Sequence, residues 1–316
     1  MFGKFAFMTA TERTWRPAWP CPAGQILVAA RRGAGDPTYV IEGGSHWRAF
    51  RTPEGPVRLQ VMPRPGLGEV GGRAWGPGAV WALDALPALL GALDDPTGFD
   101  PRVPVLVEAH RRHQHLRIGR TGLVFEALLP AILEQKVTGQ EAFAGFRRLV
   151  RRYGEPAPAG EGPDLFLQPS PAVVAAVPSW EWLDFHVDAA RSRALVTAAS
   201  RAAALERITA DDLETADRKL QSLPGVGVWT SAEVRARALG DADAVSFGDY
   251  HVAKDIGWAL TGAPVDDAEL AVLLEPWRPH RLRVQVLVAL AGLGKPRRGP
   301  RMAPRRHLPG RDVDRP

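Results

Sequence analysis

The chain has 316 residues, with 40 Lys and Arg against 35 Asp and Glu and a formal net charge of +5. That length accommodates two domains and a substantial core; the mild basicity is compatible with a nucleic-acid partner, though an arginine- and proline-rich composition also follows from a GC-rich genome. Cys21 is the single cysteine, which excludes an intrachain disulfide and any cysteine-ligated zinc or iron–sulfur centre. The first fifteen residues have no signal-length apolar core, and no run of about eighteen apolar residues occurs anywhere, so a cytoplasmic, non-membrane protein is expected, as a monomer.

Four short β-type runs open the chain: Ile26 to Ala30, Thr38 to Ile41, His46 to Phe50 and Val57 to Val61. They are separated by Gly33-Ala-Gly-Asp-Pro, Glu42-Gly-Gly-Ser and Thr52-Pro-Glu-Gly-Pro, turn clusters whose spacing predicts an antiparallel meander. A helical stretch from Ala79 to Leu93, interrupted at Pro87, packs across it. The expectation is a small N-terminal α+β domain over 1–109.

A charged run follows, His110-Arg-Arg-His-Gln-His-Leu-Arg-Ile-Gly-Arg, with Leu116 as its apolar member. Charge runs are commonly solvated faces, and the three histidines have no acidic or cysteine partner in sequence that would complete a metal site. From Leu123 onward helical spacing dominates, so the fold class is mainly α, with a helical domain over 110–293. Phe143, Phe146, Leu149 and Val150 form one stripe, and Arg147, Arg148, Arg151 and Arg152 cover the opposite face. Gly154 to Pro163 is a loop, Ser170-Pro171 an N-cap and N1 pair, and Asp188 to Ile208 a long Ala-rich helix. The tail over 294–316 is basic, has no apolar face to bury and is expected to be disordered, adding nonspecific attraction to DNA.

The densest cluster of chemistry lies in Leu223-Pro-Gly-Val-Gly-Val-Trp-Thr-Ser-Ala and in Ser246-Phe-Gly-Asp-Tyr-His. The first reads as the turn between a short helix and a second one carrying Trp229, Ala232, Ala236 and Leu239 at helical spacing. Gly225 and Gly227 can take positive φ without a Cβ penalty, leaving several N–H groups exposed at the start of the second helix. Such a terminus binds anions, DNA phosphate among them; a plain turn between core helices has the same local signature. Asp249 follows Trp229 by twenty residues and precedes a new helical run. It is placed to cap that helix, and capping does not preclude a chemical role.

Hairpin, Trp229 and Asp249 together resemble the helix-hairpin-helix DNA glycosylase superfamily, most closely the bacterial 3-methyladenine (alkylpurine) DNA glycosylase II type. Phe125-Glu-Ala-Leu-Leu-Pro-Ala-Ile-Leu-Glu-Gln-Lys-Val-Thr is similar to that family's first long helix, and Trp277-Arg-Pro-His with Leu282 to Leu290 to its closing helix. The resemblance covers roughly residues 111 to 293. It implies a monofunctional base-excision enzyme that extrudes a damaged purine from duplex DNA and hydrolyses its glycosidic bond. Asp249 would stabilise the cationic sugar or activate water; sequence does not separate these. Trp229 stands where bifunctional relatives carry a Schiff-base lysine, and its face suits a cationic purine. Gln135 and Thr138 would reach the pocket or the DNA backbone, and Leu116 would be the wedge filling the gap left by the base.

The resemblance further implies DNA contacts from Pro224, Gly225, Val226, Gly227 and Thr230. No cofactor is required, and a monovalent cation would sit on the main-chain carbonyls of Gln221, Leu223 and Val226. Glu233 and Val286 depart from the family's aromatics, which leaves the substrate list open. No second carboxylate stands at a convincing distance from Asp249 to act as a dedicated acid; Asp243 belongs to the connector before Phe247. Two alternatives stay open: a glycosylase for oxidised or deaminated bases, and a non-catalytic helix-hairpin-helix DNA-binding protein.

Overall fold

The computed structural model describes residues 9–296. The basic tail lies outside the described residues from 297 on. Strands β1 (Thr11–Trp15), β2 (Tyr39–Glu42), β3 (Ser45–Thr52), β4 (Gly55–Arg64) and β5 (Glu69–Trp75) form one antiparallel sheet in the order β1-β5-β4-β3-β2. Val57, Leu59 and Val61 alternate along β4 and are fully buried, as strand periodicity requires when one face is covered. The cover is α2 (Ala79–Asp84) and α3 (Leu86–Leu89), broken near Pro87 as expected.

In and around the sheet, two features depart from the sequence expectation. Ile26 to Ala30 is not a strand: Ala23–Val28 is the short helix α1, whose Leu27 is buried in the sheet's core. An apolar run of that length fits either element, and here tertiary packing decides. The sheet also gains β1 and β5, which join at its edge. In β5, Gly71 and Gly72 interrupt the apolar alternation, and a Cβ on Gly72 would stand 2.7 Å from Leu83 Cδ2. A side chain there is excluded by the close approach of α2.

The loop after α6 (Gly139–Tyr153) is held rather than loose. Arg58 on the sheet donates to the carbonyls of Pro158, Glu161 and Pro163 at 2.8–3.0 Å. Gly160 and Gly162 lie against Trp75 and Trp47, whose rings stack at 5.9 Å.

Helix α4 (Pro104–His113) leaves the sheet and buries Leu106 and Ala109 among residues of the last helices, including Ile256, Leu270, Val284 and Leu287. Helix α5 (Val124–Leu133) is buried along its whole length. It packs against α6, then α7 (Pro171–Ala176), α8 (Glu181–Asp184), α9 (Ala189–Ser200) and α10 (Ala202–Glu206). The expected single helix from Asp188 to Ile208 is thus divided at Arg201. The bend carries Glu206 onto the first N–H groups of α5, where its carboxylate accepts from Val124 and Phe125 at 2.9 and 2.8 Å. Those donors have no partner inside the helix, so Glu206 supplies the missing cap. The remaining helices are α11 (Leu213–Gln221), α12 (Val228–Val234), α13 (Val252–Thr261), α14 (Asp267–Leu274) and α15 (Arg281–Leu290). Helix α15 is tied to the chain after α3 by a buried ion pair, Arg283 with Asp94, and Asp94 also accepts from Ile118 N at 2.8 Å.

Candidate active site

Helices α11 and α12 are joined by a tight hairpin. Leu220, Leu223 and Val226 point inward and are buried, whereas Pro224, Gly225 and Gly227 face solvent. Gly225 has φ +87°, and a Cβ there would lie 2.7 Å from the Cβ of Ala194. Conformation and space both demand glycine at this position. Gly227 differs from expectation: its φ is −103° and a Cβ would meet nothing within 4 Å. What Gly227 offers is an open approach to the start of α12, where no side chain caps the first N–H groups.

The two glycines therefore separate in their expected behaviour. Gly225→Val should strain the turn by about 1–3 kcal/mol, visible as a lowered melting temperature. Gly227→Val should fold normally, weaken duplex binding at every sequence and flatten its salt dependence, because a phosphate can no longer approach the N–H groups. An unchanged salt slope for folded Gly227→Val would place the phosphate grip elsewhere.

Gln135, just past the end of α5, clamps the hairpin. Its amide donates to the Gly225 carbonyl at 2.9 Å and to Thr230 Oγ1 at 2.8 Å. Thr230 is buried, so this contact fixes the height of α12 against α5. Thr138 does not join it. Its hydroxyl caps α6, accepting from Glu141 N at 3.3 Å and donating to Glu141 Oε2 at 2.9 Å.

Asp249 sits in the loop before α13, after Gly248 with φ +86°. Its Oδ1 accepts from His251 N at 2.7 Å and Val252 N at 3.1 Å, capping the helix start. Its Oδ2 accepts from the indole Nε1 of Trp229 at 3.3 Å. Backbone on one side and the indole on the other thus fix the carboxylate's orientation. Capping consumes one oxygen and leaves the other turned toward Trp229.

Beside Trp229 lies an ionic cluster, of which the sequence singles out only Glu233. Glu233, one turn after Trp229 and so on the same helix face, pairs with Arg237 and accepts from Ser246 Oγ at 2.5 Å. Ser246 N donates to Gln285 Oε1 of α15 at 3.1 Å. Glu134, the neighbour of Gln135, meets Arg32 Nε at 3.3 Å. Burial raises the Glu134 pKa, Arg32 and Arg237 oppose the rise, and Glu233 and Asp249 add to it. Burial works against Glu233 too, but Arg237 and Ser246 overcome it and hold that carboxyl below its ordinary range. Asp243 is elsewhere, chelating Arg281 at 2.7 and 2.8 Å.

Leu116 is half-buried and lines a shallow hollow together with Phe99, His110, His113, Val286 and Leu287. The turn carbonyls Gln221, Leu223 and Val226 are of the oxygen type that takes a hard monovalent cation. Among the described residues the turn's own hydrogen bonds engage only Leu223 O of the three, from Val226 N at 3.0 Å. The set therefore fits such an ion.

No protein-family model matches the chain. Over 206 residues, 63% of its length, it is 31% identical to a Mycobacterium tuberculosis protein named "Probable bifunctional transcriptional activator/DNA repair enzyme AlkA", of which it spans 38%. Among solved structures, a 3-methyladenine DNA-glycosylase from Archaeoglobus fulgidus superposes with a TM-score of 0.75 at 17% identity, covering 88% of this chain and 97% of that one. An 8-oxoguanine glycosylase/lyase from Clostridium acetobutylicum, solved with double-stranded DNA, superposes with a TM-score of 0.69 at 15% identity, covering 90% and 98%. With the hairpin and the Asp249 loop in place, these likenesses give the chain the fold of the helix-hairpin-helix DNA glycosylases, and its sequence likeness is to part of a protein named as a DNA repair enzyme.

Proposed function

We propose that the chain is a monofunctional DNA glycosylase that releases N3- and N7-alkylated purines from duplex DNA and leaves an abasic site. The observation that carries this is the Asp249 carboxylate, with one oxygen bound to backbone N–H groups and the other turned to the Trp229 indole. Breaking a glycosidic bond builds positive charge on the deoxyribose, and a preoriented carboxylate stabilises that charge without reorganising. The same carboxylate can take the proton of the attacking water. Asp249, Trp229, Gln135 and Leu116 serve the reaction and the extruded base; Pro224, Gly225, Val226, Gly227 and Thr230 form the DNA grip, and the carbonyls of Gln221, Leu223 and Val226 would hold a monovalent cation that would supply positive charge toward phosphate. Thr138 is a helix cap in this scheme.

Trp229 excludes imine formation at that position. Lys136 and Lys254 are the lysines near the site elements in sequence, and Lys254 has its ammonium 3.5 Å from the Tyr250 ring centroid. The test is a panel of duplexes, each with one lesion, treated with alkali after incubation. Release of 3-methyladenine and 7-methylguanine should exceed that of hypoxanthine, uracil and 8-oxoguanine, because N-alkylation already makes the purine a cationic leaving group. Trp229→Leu should cost cationic bases more, by roughly a kcal/mol of cation–π attraction. Faster release of 8-oxoguanine, or an adduct trapped efficiently by borohydride, contradicts the proposal.

A further inference from the structure

The Asp249 carboxylate is oriented by the N–H groups it caps, but the turn that carries it is placed by side chains the proposed reaction leaves unused. Asp249 N donates to Ser246 O at 3.2 Å, closing the turn Ser246-Phe-Gly-Asp. Ser246 is the foot of that turn and is buried. Gln285 of α15 meets it twice: Ser246 N donates to Gln285 Oε1 at 3.1 Å, and Gln285 Nε2 donates to Ser246 Oγ at 3.1 Å. The same hydroxyl donates to Glu233 Oε1 of α12 at 2.5 Å, and Arg237 takes the other carboxylate oxygen. Gly248 N, one residue before Asp249, donates to Asp267 Oδ2 at the start of α14 at 3.1 Å.

This chain of bonds has a single polarity. Burial opposes an ionised Glu233, yet Arg237 and Ser246 hold its carboxyl below the ordinary range, so it accepts and does not donate. The Ser246 proton therefore points to Glu233, its lone pair is left for Gln285 Nε2, and the Gln285 amide turns its oxygen to Ser246 N. Reversing any member would leave a buried donor or acceptor unpaired. Trp229 stands one turn before Glu233 on the same face of α12. The helix bearing the indole and the turn bearing the carboxylate are thus joined twice, by Trp229 Nε1 to Asp249 Oδ2 at 3.3 Å and by Glu233 to Ser246. The indole bond is long and does not fix that separation alone.

We propose, building on the glycosylase function above, that Glu233, Ser246 and Gln285 are positioning residues that set where the Asp249 carboxylate stands against Trp229. They act on the reaction through Asp249 and not on the base or the sugar. One hydroxyl, on Ser246, joins α12 and α15 to the turn. Without it the carboxylate shifts, although His251 and Val252 still bind its Oδ1.

Single-turnover release of 7-methylguanine, with duplex affinity measured on the same samples, tests this. Ser246→Ala and Gln285→Leu should each lower the maximal rate by about ten- to a hundredfold, the cost of misplacing a reacting group by about 1 Å, with duplex affinity unchanged. Because both act through one hydroxyl, the loss in the double variant should fall well short of the product of the single losses. Gln285→Glu keeps the shape but can no longer donate to Ser246 Oγ, and it should be at least as slow as Gln285→Leu. In protein labelled with 15N-tryptophan, the Trp229 indole resonance, identified by its loss in Trp229→Phe, should move in each variant, since it reports the bond to Asp249. If melting shows Ser246→Ala to be unfolded, Gln285→Glu carries the test. A parental maximal rate in the folded variants, multiplying losses in the double variant, or an unmoved indole resonance overturns the assignment while wild-type release of 7-methylguanine leaves the proposed function standing. Wild-type protein that releases no base overturns that function, and the indole resonance then decides the positioning role by itself.

Discussion

Asp249→Asn should abolish base release while duplex affinity stays equal or rises slightly. Asparagine keeps an Oδ1 for the N–H groups of His251 and Val252, so the start of α13 survives. What disappears is the negative charge beside the sugar, and losing one preorganised stabilising group costs about a hundred- to a thousandfold in rate. Removing an anion near phosphate favours binding, since most of that affinity comes from backbone contacts. Single-turnover excision and a binding titration on the same duplex separate the two effects, and parental excision by Asp249→Asn would remove the chemical role from this residue.

Arg283→Met should be the most destabilising single change away from the site. Arg283 and Asp94 are exposed by only 7% and 3%, and Arg283 also donates to His280 Nδ1 at 3.2 Å. With the guanidinium gone, Asp94 keeps the N–H of Ile118 but loses its countercharge. A buried pair broken on one side costs about 3–5 kcal/mol, much of it the stranded charge. For a chain of this size that corresponds to a melting point lower by roughly 10 °C. Asp94→Asn/Arg283→Met should recover most of the loss in calorimetry, since no charge is then stranded. A double variant no better than the single one would show that packing, not charge, joins α15 to the earlier chain.

Local chemistry in the sequence foreshadowed the hairpin, the Asp249 cap and strands β2 to β4, because each rests on residues close together: Pro-Gly, Gly-Asp, or β-type runs between turns. Strand β5 escaped detection because Gly71 and Gly72 replace the apolar residues that would have shown a period of two. Gly72 is glycine because α2 approaches too closely for a side chain, whereas a Cβ on Gly71 would meet the ends of Met62 and Arg64 on β4. Gly227 illustrates the converse, a glycine in a motif whose backbone any residue can adopt. Glu134 was legible only as an odd charge at the end of an apolar helix. Its partner Arg32 comes from the segment beside the sheet, and a pair so distant in sequence leaves no local trace.

The contact of Arg58 with Pro158, Glu161 and Pro163 bears on cooperativity. A Gly- and Pro-rich stretch reads as a tether between units that come apart independently, the first place a protease would cut. Here three of its carbonyls are consumed by one buried guanidinium, and two of its glycines are flush against stacked tryptophans. Opening the stretch means uncovering Trp47 and Trp75 and stranding Arg58, so its amides should exchange with solvent at the rate of the sheet rather than of a loop. The sheet and the helices would then melt together, and cutting the chain into halves at this point would strip both of their shared surface.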